Sequence, residues 1–254
     1  MYKHVLKMEC LTGLHVGSGD VNYNIIDNEV ERDPVSGRPV IHASGVKGAF
    51  RDAYISAGGS DTKRIFGSVG KKDEFTTGAY KFLNAAILVR PLRASGTGLA
   101  SVPVTTLDTI NSYLKLLNGF GCNHYGIDSV EYPADYRFLS RDGKIKVEGE
   151  RSEAMPEELA AMLDKLADVL PENTVIAKDL DDYPLPVIAR NCLENGKSVN
   201  LWYEEYVPQT SVFYTVILAD DEQLDPELGV GGVVQFGGNA SIGYGFMKLT
   251  EIGR

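Results

Sequence analysis

Four stretches of this 254-residue chain carry residue types that can do chemistry. The first couples His15 to the carboxylates Asp20, Asp27, Glu29, Glu31 and Asp33. A flexible acidic loop can hold a divalent cation through one or two carboxylates and leave its other positions to water or substrate oxygens. An imidazole, with an ordinary pKa of about 6.5, can move a proton near neutrality. On spacing alone, an acidic loop is a solvated loop and a lone histidine a structural one. The second stretch runs from Ser44 to Arg51, as SGVKGAFR. With Ser44 as the N-cap of a helix, Ser44, Lys47 and Arg51 stand at i, i+3 and i+7 on one face. The free N–H groups of the first turn and two cations then outline a phosphate site. Gly45 and Gly48 would admit a close backbone there. A solvated cationic helix face has the same pattern.

The third stretch is the glycine loop Gly237 to Phe246, with Gly238, Gly243 and Gly245 among its residues. No Gly-Lys-Ser/Thr follows, so it is not a Walker A loop, and it does not lead into a helix as a dinucleotide fingerprint would. Its glycines permit positive φ and close approach of a ligand, or simply a tight hairpin turn. The fourth, Trp202-Tyr203-Glu204-Glu205-Tyr206, sets aromatics beside two acids. Such rings can stack on unpaired bases or on cross-strand neighbours.

These residues need elements to position them. Residues 3–16 alternate as a strand ending at Gly17, and Gly17 to Asn24 is rich in turn formers. Gly45 to Tyr54 reads as a helix stopped near Gly58-Gly59, and Tyr80 to Arg90 as a buried strand. Leu107, Ile110, Leu114 and Leu117 recur at helical spacing, with a stop at Asn118-Gly119. A second amphipathic helix begins near Pro156, uses Leu159, Met162, Leu163, Leu166 and Leu170, and ends at Pro171. Asn195-Gly196 between two β-rich runs, Leu185 to Asn191 and Ser198 to Tyr203, is a strong hairpin signal. Ser211 to Leu218 is a β-branched strand, and Val233 to Phe236 with Gly245 to Thr250 makes a last hairpin. The mixture predicts a single α+β domain over 1–254.

Composition sets limits. Hydrophobic residues are 43% of the chain, enough for a core. No apolar run approaches the about 20 residues of a membrane span, and no signal-peptide pattern opens the chain, so a cytoplasmic location is expected. Cys10, Cys122 and Cys192 are far apart and make no zinc spacing with His4, His15, His42 or His124. The net charge of −10 argues against a nucleic-acid partner unless basic residues are gathered on one face.

The order of the motifs says more than any one of them. The run LTGLHVGSGD…IIDNEVERDPVSGRPVIHASGVKGAFRD resembles the opening of RAMP-superfamily CRISPR backbone proteins, and VVQFGGNASIGYGFMKL resembles their glycine-rich loop. The segment NLWYEEYVPQTSVFYTVIL is similar to that of the backbone subunit of type III-B (Cmr) effector complexes. The resemblance implies a ferredoxin-like (RRM-like) palm with inserted fingers and a β-hairpin thumb, here at about 185–203, and a catalytic loop at 17–40. It implies stacking of copies on a guide RNA, association with other effector subunits, no membrane, and cleavage of the complementary target RNA with a divalent metal (Mg or Mn). Position by position it makes Asp27 the cleavage aspartate and metal ligand. His15 and Glu205 become its catalytic neighbours, and Ser44, Lys47, Arg51, Gly238, Gly243 and Gly245 the RNA-binding residues. The type III-A (Csm) backbone subunit, a structural subunit with a silent loop and a guide-processing endoribonuclease remain alternatives within the superfamily.

Overall fold

Alternation along one strand divides the core. In β1 (Tyr2–Cys10), Leu6, Met8 and Cys10 enter one apolar cluster, while Val5 enters another on the opposite face. A strand buried on both sides needs cover on both sides, and helices supply it. On the first face lies α1 (Ala43–Ser56), which buries Val46, Phe50 and Tyr54, one residue per turn. The chain is described by a computed structural model over residues 1–19, 25–68, 75–96, 98–132 and 134–253.

After α1 come β2 (Ala85–Ser95), β3 (Ser101–Thr106) and α2 (Leu107–Phe120). Ile110, Tyr113, Leu114 and Leu117 of α2 cover the second face. A short α3 (Glu157–Asp164) adds Leu159 and Leu163 to that layer, and β4 (Val175–Ala177) runs parallel to β3. The hairpin β5 (Val187–Glu194) and β6 (Lys197–Glu205) forms its own two-stranded sheet. The chain then returns as β7 (Val212–Ala219), β8 (Val233–Gln235) and β9 (Phe246–Ile252).

Across the main sheet the path runs β4, β3, β2, β7, β1, β9, β8, continuing beyond β4 through two short strands. The four strands β9, β1, β7 and β2 are all antiparallel neighbours. Taken as the fourth, first, third and second strands of the chain, with α1 in the first crossover, they form the expected ferredoxin-like frame. Its second crossover holds no α-helix, only the 3₁₀ turns Pro226–Leu228 and Ala240–Ile242 and the edge strand β8. Everything between 96 and 211 is inserted between the second and third strands of that frame.

Several boundaries differ from those the sequence suggests. The first strand stops at Cys10, because residues 11–17 leave the sheet to make isolated bridges, Leu14 with Val207 and Gly17 with Val30. The N-cap of α1 is His42 rather than Ser44, and Ala43 N donates to Asn84 Oδ1 at 2.8 Å. α2 runs past Asn118-Gly119 to Gly121, whose φ of +64° supplies the left-handed cap. The helix expected to reach Leu170 ends at Asp164; Leu166, Ala167 and Val169 then bond three residues back, the tighter 3₁₀ pattern. Among the described residues no helix is long and apolar enough to cross a membrane.

Charge is distributed unevenly. Fifteen of the 35 acids and seven of the 25 bases fall between 128 and 182, so that insert alone carries −8 of the net −10. The remainder of the chain is nearly neutral, which removes much of the compositional objection to an anionic partner.

Candidate functional site

The end of β6 organises the site. Successive strand residues point to opposite faces, so the adjacent acids Glu204 and Glu205 diverge. Both are buried, at 3% and 4% exposure, and a buried carboxylate needs donors. Glu205 Oε2 accepts from Val30 N at 3.0 Å, and its Oε1 accepts from Arg32 at 2.5 Å. Glu204 Oε1 accepts from Arg190 Nε at 2.8 Å and from Asn239 Nδ2 at 2.7 Å. The Arg190 guanidinium also lies 4.6 Å from the centre of the Tyr244 ring, within cation–π range. One strand thus holds the acidic loop through Glu205 and joins the hairpin base to the glycine loop through Glu204.

The acidic loop lies along β6 as an extra strand. Asn28 forms a parallel bridge with Glu204, Glu205 N donates to Asn28 O at 2.9 Å, and Asp27 N donates to Tyr203 O at 3.1 Å. Asp27 is exposed; its Oδ2 accepts from Tyr203 N at 2.8 Å, and its Oδ1 has no protein partner among the described residues. On the other side the loop meets residues 16–18, with Glu31 N donating to Val16 O at 2.7 Å. His15 is buried, and its Nδ1 lies 2.7 Å from Glu205 O. A carbonyl can only accept, so Nδ1 carries a proton, and Nε2 is the nitrogen left to exchange one. Nε2 lies beside Gly17, where an added Cβ would come within 3.1 Å of it.

The structure therefore brings Asp27, His15 and Glu205 together around one strand, but it gives them different tasks. Both oxygens of Glu205 are engaged in holding the loop. Asp33 is a turn residue: its Oδ1 takes the amides of Val35 and Ser36, and the Ser36 bonds hold its carboxyl below the usual range. Glu31 meets His42 at 3.1 Å. Asp20 lies outside the described residues. Among the described residues no three His, Cys, Asp or Glu side chains converge to hold a metal ion. Mg²⁺ often takes one protein carboxylate together with substrate phosphates, and the open Oδ1 of Asp27 fits that use.

The expected RNA-binding residues fall into two groups. Ser44, Lys47 and Arg51 are exposed along α1, and neither Lys47 nor Arg51 forms an ion pair among the described residues. Ser44 lies within the first turn and makes no side-chain cap, so its hydroxyl is on the cationic face without defining the helix start. The glycine loop is mostly a packing device. Gly238 N donates to His15 O at 2.9 Å. At Gly245, φ is +80° and a Cβ would stand 1.9 Å from Phe236 O, so only glycine fits. Gly238 and Gly243 remain exposed, whereas Gly245 is buried and out of a ligand's reach.

The hairpin turns at Asn195 and Gly196, with φ of +49° and +78°, as the left-handed residues of a two-residue loop require. It spans 187–205 rather than 185–203, and Val187, Leu193, Val199, Leu201 and Tyr203 are exposed along it. Sequence reasoning missed Arg32, Arg190, Asn239 and the role of Glu204. The signal was a Glu-Glu pair in a strand: alternation must turn one acid to each side.

Similarity to known proteins covers nearly the whole chain. The curated "CRISPR system Cmr endoribonuclease Cmr4" of Pyrococcus furiosus is 24% identical over 98% of this chain and 96% of its own. The "CRISPR system CMR subunit Cmr4" of Saccharolobus solfataricus is 25% identical over 95% and 94%. Among solved structures, a chain of the type III-B Cmr-beta complex bound to cognate target RNA superposes with a TM-score of 0.77 at 19% identity, covering 99% of this chain and 97% of that one. Oligomeric Cmr4 from Pyrococcus furiosus gives 0.74 at 22% identity, with 98% of each chain covered. The family model of the RAMP superfamily matches residues 7–248, and the chain belongs to that superfamily.

Proposed function

We propose that this protein is the backbone subunit of a type III-B CRISPR effector complex. It binds guide RNA, stacks with copies of itself and other effector subunits in the cytoplasm, and cuts the paired target RNA. The observation that carries the reading is the Asp27 loop, strapped to the base of the hairpin with one carboxylate oxygen left open. The two curated relatives, matched over almost their full lengths, carry the Cmr4 name, one of them as an endoribonuclease. Lys47 and Arg51 on α1 contact guide phosphates without reading bases, since neither is paired with an acid among the described residues. The β5–β6 hairpin acts as the thumb that interrupts the guide–target duplex.

In the reaction the ribose 2′-oxygen attacks the adjacent phosphorus, the bond from phosphorus to the 5′-oxygen breaks, and a cyclic phosphate remains. The 2′-hydroxyl loses a proton and the leaving oxygen gains one. Asp27 orients the attacking hydroxyl; an ordinary carboxylate is a weak base at neutral pH, because useful proton transfer wants a pKa near the working pH. A divalent metal on Asp27 Oδ1 would neutralise charge building on the phosphate. His15, oriented by the bond of Nδ1 to Glu205 O, is the candidate for moving a proton.

The test is Asp27→Asn in reconstituted complexes given labelled complementary RNA. Asparagine keeps an oxygen for the Tyr203 amide and removes only the charge. Complexes should assemble and bind target as wild type does, while cleavage falls by at least about 10²-fold, the scale of losing one positioned electrostatic group. Undiminished cutting rejects the assignment. Cutting of repeat RNA by the free subunit would instead favour a guide-processing enzyme.

A further inference from the structure

Asp27 satisfies the backbone of one residue of β6, and that residue is aromatic. Tyr203 N donates to Asp27 Oδ2 at 2.8 Å, and Tyr203 O accepts from the amides of Asp27 and Asn28, each at 3.1 Å. The ring therefore rises from the residue whose amide fixes the carboxylate. Alternation puts Tyr203 on the same face of the hairpin as Leu201 and Glu205. Pairing adds Val187, opposite Glu205, and Ala189, opposite Tyr203. Glu205 is buried under its bonds to Val30 and Arg32, so Tyr203 is the first exposed side chain of β6 on that face, outward from the point where the loop is anchored. It is 40% exposed, and Leu201 and Val187 are exposed beside it. A strand tyrosine ordinarily lies over a large cross-strand neighbour, but Ala189 is too small to cover this ring. Among the described residues the ring makes no aromatic contact and its hydroxyl no hydrogen bond.

Resting on the function proposed above, we infer that Tyr203 stacks on the base of a target nucleotide flanking the cut and holds that nucleotide against Asp27. Aromatic rings on strands take unpaired bases face to face, whatever the sequence. In that reading the hairpin is where pairing is interrupted, so a base beside it is free to stack on a protein ring. A protein partner on this face would cover Asp27 together with Tyr203, and the open oxygen of Asp27 would then be lost to the target. The ring does no chemistry: no bond to Tyr203 forms and no proton leaves it. It limits the motion of the nucleotide that reacts, and so raises the fraction of bound target in a productive pose.

The experiment removes the ring and the base in turn. Complexes carrying Tyr203→Ala, Tyr203→Leu or Tyr203→Phe are compared with wild type and Asp27→Asn in single-turnover cleavage, with complex in excess over labelled target RNA. Three targets are used: unmodified RNA, and two with an abasic ribonucleotide on the 5′ or the 3′ side of the cut bond. On unmodified RNA, Tyr203→Ala and Tyr203→Leu should cut at least about fivefold more slowly, the lower end of one base–aromatic stack, while Tyr203→Phe stays close to wild type. One abasic target should slow wild type by the same factor and slow Tyr203→Ala no further, because ring and base are two halves of one contact. A wild type equally fast on all three targets overturns the inference, and so do abasic losses that add in full to the loss from Tyr203→Ala. Altered assembly of Tyr203→Ala at an unchanged cutting rate would mark the face as a protein interface and overturn it too. Should Tyr203→Ala fail to assemble, Tyr203→Leu against Tyr203→Phe decides: equal rates overturn the stack, and a fivefold gap supports it. Cutting by wild type and its loss in Asp27→Asn test the nuclease reading on unmodified RNA, so a failure of that reading is distinguishable from a failure of this one.

Discussion

Consider removing the carboxylate of Glu204. Its Oε1 accepts from Arg190 Nε and Asn239 Nδ2, at 2.8 and 2.7 Å, and stands 2.8 Å from Arg190 Nη2 as an ion pair without a hydrogen bond to that nitrogen. The side chains of Glu204 and Arg190 are 5% and 14% exposed, so water cannot replace the lost partner readily. Glu204→Ala leaves a largely buried guanidinium and a half-buried amide unmet, a change that costs about 3–5 kcal/mol when one member of a buried pair is deleted. For a domain of this size each kcal/mol moves the melting temperature by about 2–4 °C, which gives a fall of roughly 6–20 °C. Glu204→Gln keeps the oxygen and loses the charge; charge-assisted bonds exceed neutral ones by about 1 kcal/mol, so it should fall by only a few degrees. The paired change Arg190→Met with Glu204→Met should recover most of the loss, because an apolar pair removes both desolvation penalties. Thermal unfolding of the isolated subunit measures all three. A Glu204→Ala protein melting within 2 °C of wild type would refute the clamp, as would a double variant no better than the sum of its parts.

Two further outcomes are expected. Replacing Lys47 and Arg51 by alanine should weaken binding to all RNA sequences alike and reduce the slope of log affinity against log salt by about 0.7 per contact on a single strand; a filter-binding series across salt checks it, and an altered sequence preference at unchanged slope contradicts it. Replacing Leu193 to Val199 by Asn-Gly, which rejoins the paired positions Cys192 and Asn200, should leave the melting temperature within a few degrees, because the tip is exposed, while changing the spacing of cuts in the target; unchanged cut positions would remove the thumb assignment.

Much of the frame was legible because its signals are local. The hairpin turn at Asn195-Gly196 needs two left-handed residues, and few other pairs supply them. The face of α1 followed from Val46, Phe50 and Tyr54 recurring once per turn. What failed was where local pattern and tertiary pairing compete. Residues 11–17 alternate like a strand, yet their partners are Val207 and Val30 rather than the sheet. Leu166 and Leu170 keep helical spacing past the end of α3, where bonds three residues back interrupt the helix and only Leu170 N bonds four back, to Leu166 O; apolar periodicity does not distinguish the two patterns. At the site, residue type identified Asp27, His15 and Glu205, but not who holds whom. By resemblance Glu205 is a catalytic neighbour of Asp27, and only its bonds to Val30 and Arg32 show it holding the loop. Arg190 and Asn239 meet at one oxygen although 49 positions separate them in the sequence, a closeness no spacing rule reports.

The adjacency of Glu204 and Glu205 has an evolutionary corollary. Because the two acids face opposite ways from neighbouring positions, adding or deleting one codon just before Glu204 in β6 would exchange inner and outer faces along the strand. The carboxylate meant for Arg32 would then confront Arg190 and Asn239, and the acidic loop would lose its anchor in the same event. Point substitution can adjust either contact separately, but length change cannot. Related chains should therefore vary in length at the hairpin tip, and hold it constant from the middle of β6 to the start of β7.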